Sequence, residues 1–97
     1  MFIMMVKYIK PLEEIDKYLP AHKEYLDKYF ATGNFICCGR QNPRIGGVIL
    51  CNASDIAEAQ HISSEDPFVI QQVAEHIITE FAVTKMAPGF EPFANIT

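Results

Sequence analysis

The sequence has no long apolar run, no cluster of basic residues and no even set of cysteines, and each absence removes a class of function. The N-terminal run Phe2-Ile3-Met4-Met5-Val6 is five residues long and Lys7 closes it. A membrane span needs about 20 apolar residues, and no small-residue cleavage site follows, so neither a membrane helix nor a signal peptide is expected. Lys7, Lys10, Lys17, Lys23, Lys28, Arg40, Arg44 and Lys85 are scattered, and the net charge is −4. No basic stripe faces a phosphate backbone, so nucleic acid is not an expected partner. Cys37, Cys38 and Cys51 make an odd count, and neighbours on a strand point to opposite faces, which argues against a disulfide framework. Three free thiols fit a reducing compartment, and the expected location is the cytoplasm. Gly-rich phosphate loops, serine-nucleophile motifs and metalloprotease motifs are missing. Adjacent cysteines do not match zinc-ligand spacing, and His61 and His76 show none either, so no metal and no cofactor are expected. The cysteines read as small core residues.

What the chain does have is apolar material: 49% of its 97 residues are hydrophobic. That length fits one domain over residues 1–97, with apolar surface left over for a partner. Residues 2–9 are apolar on both faces and read as a strand covered on two sides. Residues 12–17 read as a turn or helical lead-in. A helix follows from about Pro20 to Thr32, with Leu19, His22, Leu26, Tyr29 and Phe30 on one stripe and Gly33-Asn34 as its stop. Phe35–Cys38 and Val48–Cys51 read as a hairpin pair joined by a turn-rich link. A second helix is expected over 55–64, capped by Ser54. Asp66-Pro67 starts a short helix to about Val73. Residues 76–86 alternate as a last strand, with Ile77, Thr79, Phe81 and Val83 on one face. The tail after Pro88 reads as irregular.

The order is β-α-β-β-α-β, an α+β, ferredoxin-like arrangement with a four-stranded antiparallel sheet and helices on one face. Two helices cover one side of such a sheet only, yet the strands are apolar on both. An uncovered apolar face marks an interaction surface, and a second copy docked sheet to sheet is its simplest cover.

His22 is the first candidate for chemistry. Its stripe points it toward the sheet, and an imidazole both gives and takes a proton near neutral pH. Periodicity alone favours a core histidine tied to a backbone carbonyl. Asp66 is the second. Asp before Pro is first of all a helix cap, but a carboxylate has two oxygens, and one is free to orient an imidazole while the other caps. Whether the two meet depends on register. Tyr8 from the first strand and Phe68 from the short helix are candidate pocket walls. Gly46-Gly47 reads as a turn, with backbone approach to a ligand at Gly47 as the functional reading. Arg40 and Arg44 have the charge to attract an anion, but read as solvated loop residues.

Four blocks in order resemble the YciI-like, or YCII-related, family: AHKEYLDKYFATG with its early His, CGRQNPRIGGVIL, EDPF and TEFAVTKMAPGF. The resemblance implies a ferredoxin-like fold that dimerises through its sheets as a dimeric α+β barrel. It implies a cleft with a His–Asp pair, here His22 and Asp66. Two positions depart from the family pattern. Cys38 and Arg40 stand where members carry small residues and Pro, which makes Cys38 a candidate for the pocket lining. Leu19 stands where some members carry an Arg, one helical turn before the His. The family includes a branch resembling a dehydrochlorinase of chlorinated hydroxyhydroquinones, and muconolactone isomerase is a related dimeric barrel. The common chemistry is cofactor-free proton movement on a small, often cyclic, organic substrate.

Two functional readings follow. In one the protein is a lyase or isomerase in which His22 moves a proton and Asp66 orients it. In the other it is a non-catalytic small-molecule-binding or sensor domain with the same cleft.

Overall fold

The computed structural model describes residues 1–94. Its elements are β1 (Phe2–Tyr8), α1 (Leu12–Ala31), β2 (Phe35–Arg40), β3 (Gly46–Cys51), α2 (Ile56–Ser64), α3 (Pro67–Ile70) and β4 (Ala74–Glu80), then a 3-10 turn at Glu91–Phe93. The strands form one antiparallel sheet in the order β2-β3-β1-β4. β1 and β3 are central: α1 carries the chain from β1 past β3 to β2, the hairpin joins β2 to β3, and α2 and α3 carry it from β3 past β1 to β4, the split β-α-β order.

Register decides which side chains reach the helices. Met4 pairs with Ile49 on β3 and Ile78 on β4, and Val6 pairs with Gly47 and His76. Paired residues share a face, and that face alternates with period two. Phe2, Met4, Val6, Ile49, Cys51 and Ala74 are therefore buried under Ile15, Tyr25 and Tyr29 of α1, Ala59 and Ile62 of α2, and Phe68 of α3. Each large apolar side chain so buried contributes roughly 1.5–3 kcal/mol. The opposite face carries Ile3, Met5, Val48, Leu50 and Ile77, and Ile77 is 52% exposed.

Several local expectations are corrected. α1 starts at Leu12 rather than Pro20, because the apolar stripe Leu12, Ile15, Leu19, His22, Leu26, Tyr29 runs straight through. Pro20 sits on the exposed side and removes one backbone hydrogen bond, and burial of the stripe outweighs a proline penalty of about 3 kcal/mol. α2 is capped by Asp55, whose side chain accepts from the Glu58 N–H at 2.8 Å. Ser54 instead donates to the Glu58 carboxylate at 2.7 Å. α3 ends at Ile70, short of Val73, and Gln72 then turns the chain with a positive φ of 58°. β4 runs over 74–80 rather than 76–86. Its partner β1 runs out: Phe2 faces Glu80, and the Phe81 N–H bonds the Met1 carbonyl. The alternation beyond has no strand to pair with. The tail expected to be irregular holds the 3-10 turn, and residues 95–97 lie outside the described residues.

Gly46 and Gly47 lie in β3 rather than in a turn, and neither has a positive φ. Their lack of a side chain serves close packing instead, since a Cβ at Gly46 would lie 1.9 Å from the Val6 carbonyl oxygen. Of the three cysteines only Cys51 is in the core; Cys37 and Cys38 are exposed, because they sit on the edge strand β2. Among the described residues no helix is long and apolar enough to cross a membrane.

Candidate active site

The site forms where α1, the α2–α3 turn and β4 converge. Asp66 follows α2 and caps α3, its carboxylate accepting from the Phe68 N–H at 3.0 Å. Pro67 supplies the preset φ of a first helical residue. Asp66 is fully buried, 0% exposed, and a buried charge persists only when its lone pairs are satisfied. Three donors satisfy it. Besides Phe68, the same Oδ1 lies 2.7 Å from His22 Nδ1, and Oδ2 lies 2.8 Å from His76 Nε2. A carboxylate only accepts, so both imidazole nitrogens facing it carry hydrogen. Burial pushes the Asp66 carboxyl up, but the hydrogen bonds from His22 and His76 together outweigh it, and its pKa is held below the usual carboxylate range.

His22 sits midway along α1, not in its first turn, because the helix begins eight residues earlier than Pro20. Its ring lies flat on Phe68, with centroids 4.0 Å apart and planes 7° apart. Tyr8 meets the same Phe68 edge-on at 6.1 Å. With Nδ1–H committed to Asp66, a neutral His22 carries its free lone pair on Nε2. That nitrogen makes no hydrogen bond among the described residues.

His22 opens onto a pocket of about 210 Å³. Tyr8, Cys38, Gly47 and Phe68 all line it, together with an apolar wall that includes Leu19 and Leu26. Asp66 does not reach the pocket and stands behind the imidazole. Cys38 lies on the helix-facing side of β2 opposite Ile49, which brings its thiol to the wall. Desolvation first, and the neighbouring Cys37 second, push that thiol up, so it stays protonated and a weak nucleophile.

Three residues were missed or misjudged from sequence. His76 had been weighed only as a metal ligand; its side chain is 1% exposed and bridges Asp66 to Ser63, whose Oγ lies 2.8 Å from His76 Nδ1. Its register against Val6 brings it there, and no local sequence signal marks it. Arg44 is not a solvated loop charge: it lines the pocket and pairs with Asp16 at 2.6 Å. Arg40 lines the pocket as well. Among the described residues no group of three or more His, Cys, Asp or Glu is arranged to hold a metal ion.

A profile of the YCII-related domain matches residues 1–82. The chain belongs to the YCII-related domain family. No curated protein matches it by sequence. Among solved structures it is similar to the 5-chloro-2-hydroxyhydroquinone dehydrochlorinase TftG of Burkholderia phenoliruptrix AC1100, determined in complex with 2,5-dihydroxybenzoquinone. The TM-score is 0.68 at 17% identity, covering 84% of this chain and 93% of that one. At that identity the likeness is one of fold. This YCII-related chain therefore shares its α+β scaffold with an enzyme that handles a small cyclic molecule.

Proposed function

We propose that this YCII-related protein is a cofactor-free lyase or isomerase in which His22 moves a proton on a small organic, cyclic or aromatic, substrate. The observation that carries the reading is the orientation of one imidazole. Nδ1–H is fixed on a buried carboxylate, and Nε2, unbonded among the described residues, is left at the wall of a pocket. A base held in one tautomer against an apolar wall is the arrangement that general acid–base catalysis needs. Nε2 takes a proton from a carbon made acidic by an adjacent carbonyl. The electron pair passes toward that carbonyl, or onward to expel a leaving group. Asp66 keeps its negative charge throughout and stabilises the imidazolium. Tyr8, Cys38, Gly47 and Phe68 hold the substrate by shape. The TftG likeness supports the reading by showing what this scaffold hosts elsewhere.

The test is turnover of a panel of phenols, lactones and chlorinated aromatics, followed by proton NMR. Wild type is expected to convert a member of the panel, and His22→Gln to lose about 10²–10⁴-fold in rate while keeping its circular dichroism spectrum. Full activity in the variant ends the catalytic reading. A ligand that binds wild type and comes back unchanged favours the sensor reading.

The open sheet face supports a second part of the proposal, a homodimer through the sheets. Ile3, Met5, Val48, Leu50 and Ile77 form an apolar patch that no helix of the described residues covers. With three free thiols, the proposed location is the cytoplasm.

A further inference from the structure

We propose that the ligand of the His22 pocket is a small organic anion of about one ring, its charged oxygen facing Lys23, Arg40 and Arg44. This deepens the proposed function and rests on the same pocket. Charge bookkeeping carries it. The chain has 12 acidic and 8 basic residues, so a random stretch of surface is negative. The pocket wall inverts that balance: among the described residues it includes Lys23, Arg40 and Arg44, and no aspartate or glutamate.

Two of these cations are uncommitted. Among the described residues, neither Lys23 nor Arg40 has a carboxylate within salt-bridge distance, whereas Lys7, Lys17, Lys28 and Arg44 each have one. Arg44 is partly engaged, since its Nη2 donates to Asp16 at 2.6 Å, and it adds its charge to the same wall. Lys23 stands one residue after His22 on α1, and Arg40 and Arg44 flank the turn between β2 and β3, so the positive charge comes from two sides. Clefts lined by one sign of charge with apolar walls focus that field on the ligand.

Volume sets the size. About 210 Å³ is below the ~300–1,000 Å³ of pockets for drug-sized ligands and above the ~150 Å³ cavity that suffices for benzene. The remaining wall, with Leu19, Leu26 and Phe68, suits a flat apolar body. The occupant that satisfies both is a ring carrying a carboxylate, phenolate or enolate oxygen.

The experiment is an NMR amide-shift titration of the full chain with three anion–neutral pairs: benzoate against benzamide, 4-nitrophenolate against nitrobenzene, and the enolate form of 1,3-cyclohexanedione against cyclohexanone. At least one anion is expected to shift the Tyr8 and Phe68 amides and to bind about tenfold or more tightly than its neutral partner. The Lys23→Gln/Arg40→Gln double variant is expected to lose about tenfold in that affinity, and added salt to weaken wild type. If no anion shifts these amides, if neutral partners bind as well, or if the double variant binds unchanged, the proposal is overturned. The catalytic reading is judged separately, by His22→Gln. That variant keeps all three cations, so anion binding that survives in it while turnover is lost supports both. Neutral substrates turned over by wild type overturn the anion proposal and leave the catalytic one standing.

Discussion

At the scale of single residues, Asp66 does three jobs with two oxygens: it caps α3, fixes His22 and holds His76. Its pKa is lower in the folded chain than in the unfolded one. The stability it contributes is therefore complete above the unfolded value, near pH 4, and is lost as pH falls through the lowered folded value. Asp66→Asn is expected to destabilise the protein by about 3 kcal/mol at neutral pH, since it leaves two imidazoles facing a group that no longer accepts from both. The gap between variant and wild type should close in acid, which urea unfolding at neutral pH and below pH 4 will measure. His76→Leu leaves Asp66 Oδ2 and Ser63 Oγ without partners. It should cost about 1–3 kcal/mol, read as a fall in melting temperature of ~4–8 °C per kcal/mol, with His76→Gln milder because it keeps a donor. His22 and Asp66 were legible in the sequence because helical period and the Asp-Pro break each point at one residue. His76 was not, because a histidine on a half-buried strand gives no local signal; only its register against Val6 brings it to Asp66.

At the scale of elements, the hairpin shows what sequence pattern conveys and what it leaves out. The glycines of Gly46-Gly47 were visible, but the reason for them was not, since it lies in another strand. Gly46→Ala would push a methyl group into the Val6 carbonyl and should destabilise by about 3 kcal/mol, the upper end for overpacking. Gly39→Ala, where an added Cβ meets nothing within 4 Å, is the near-neutral control, and thermal melts of the two check the contrast. The same logic explains α1 and β4. Pro20 looked like a start because proline favours first turns, yet the stripe from Leu12 onward was long enough to carry a helix across it. Residues 81–86 alternate like a strand, but alternation makes a strand only where another edge is present, and β1 ends first.

At the scale of the whole molecule, the four-stranded sheet and its one-sided helical cover were legible because element order and face counting need no register. The pocket was less so: Arg40 and Arg44 looked like loop charges until the turn between β2 and β3 was placed beside α1. The open sheet face now makes a prediction of its own. Ile77→Glu puts a charge on the most exposed residue of the patch that a second copy would cover. Wild type is expected to sediment as a dimer and the variant as a monomer with an unchanged circular dichroism spectrum. A wild type that sediments as a monomer removes the sheet-pairing proposal and leaves the pocket chemistry untouched.

The flat stacking of His22 on Phe68 has a stereochemical consequence. A half-turn of the imidazole would pull Nδ1 off its carboxylate, so under the proposed function Nε2 alone would serve both transfers. A hydrogen removed by that nitrogen would return from the same side. In an isomerisation the hydrogen leaves and re-enters suprafacially, and a chiral product would carry that handedness.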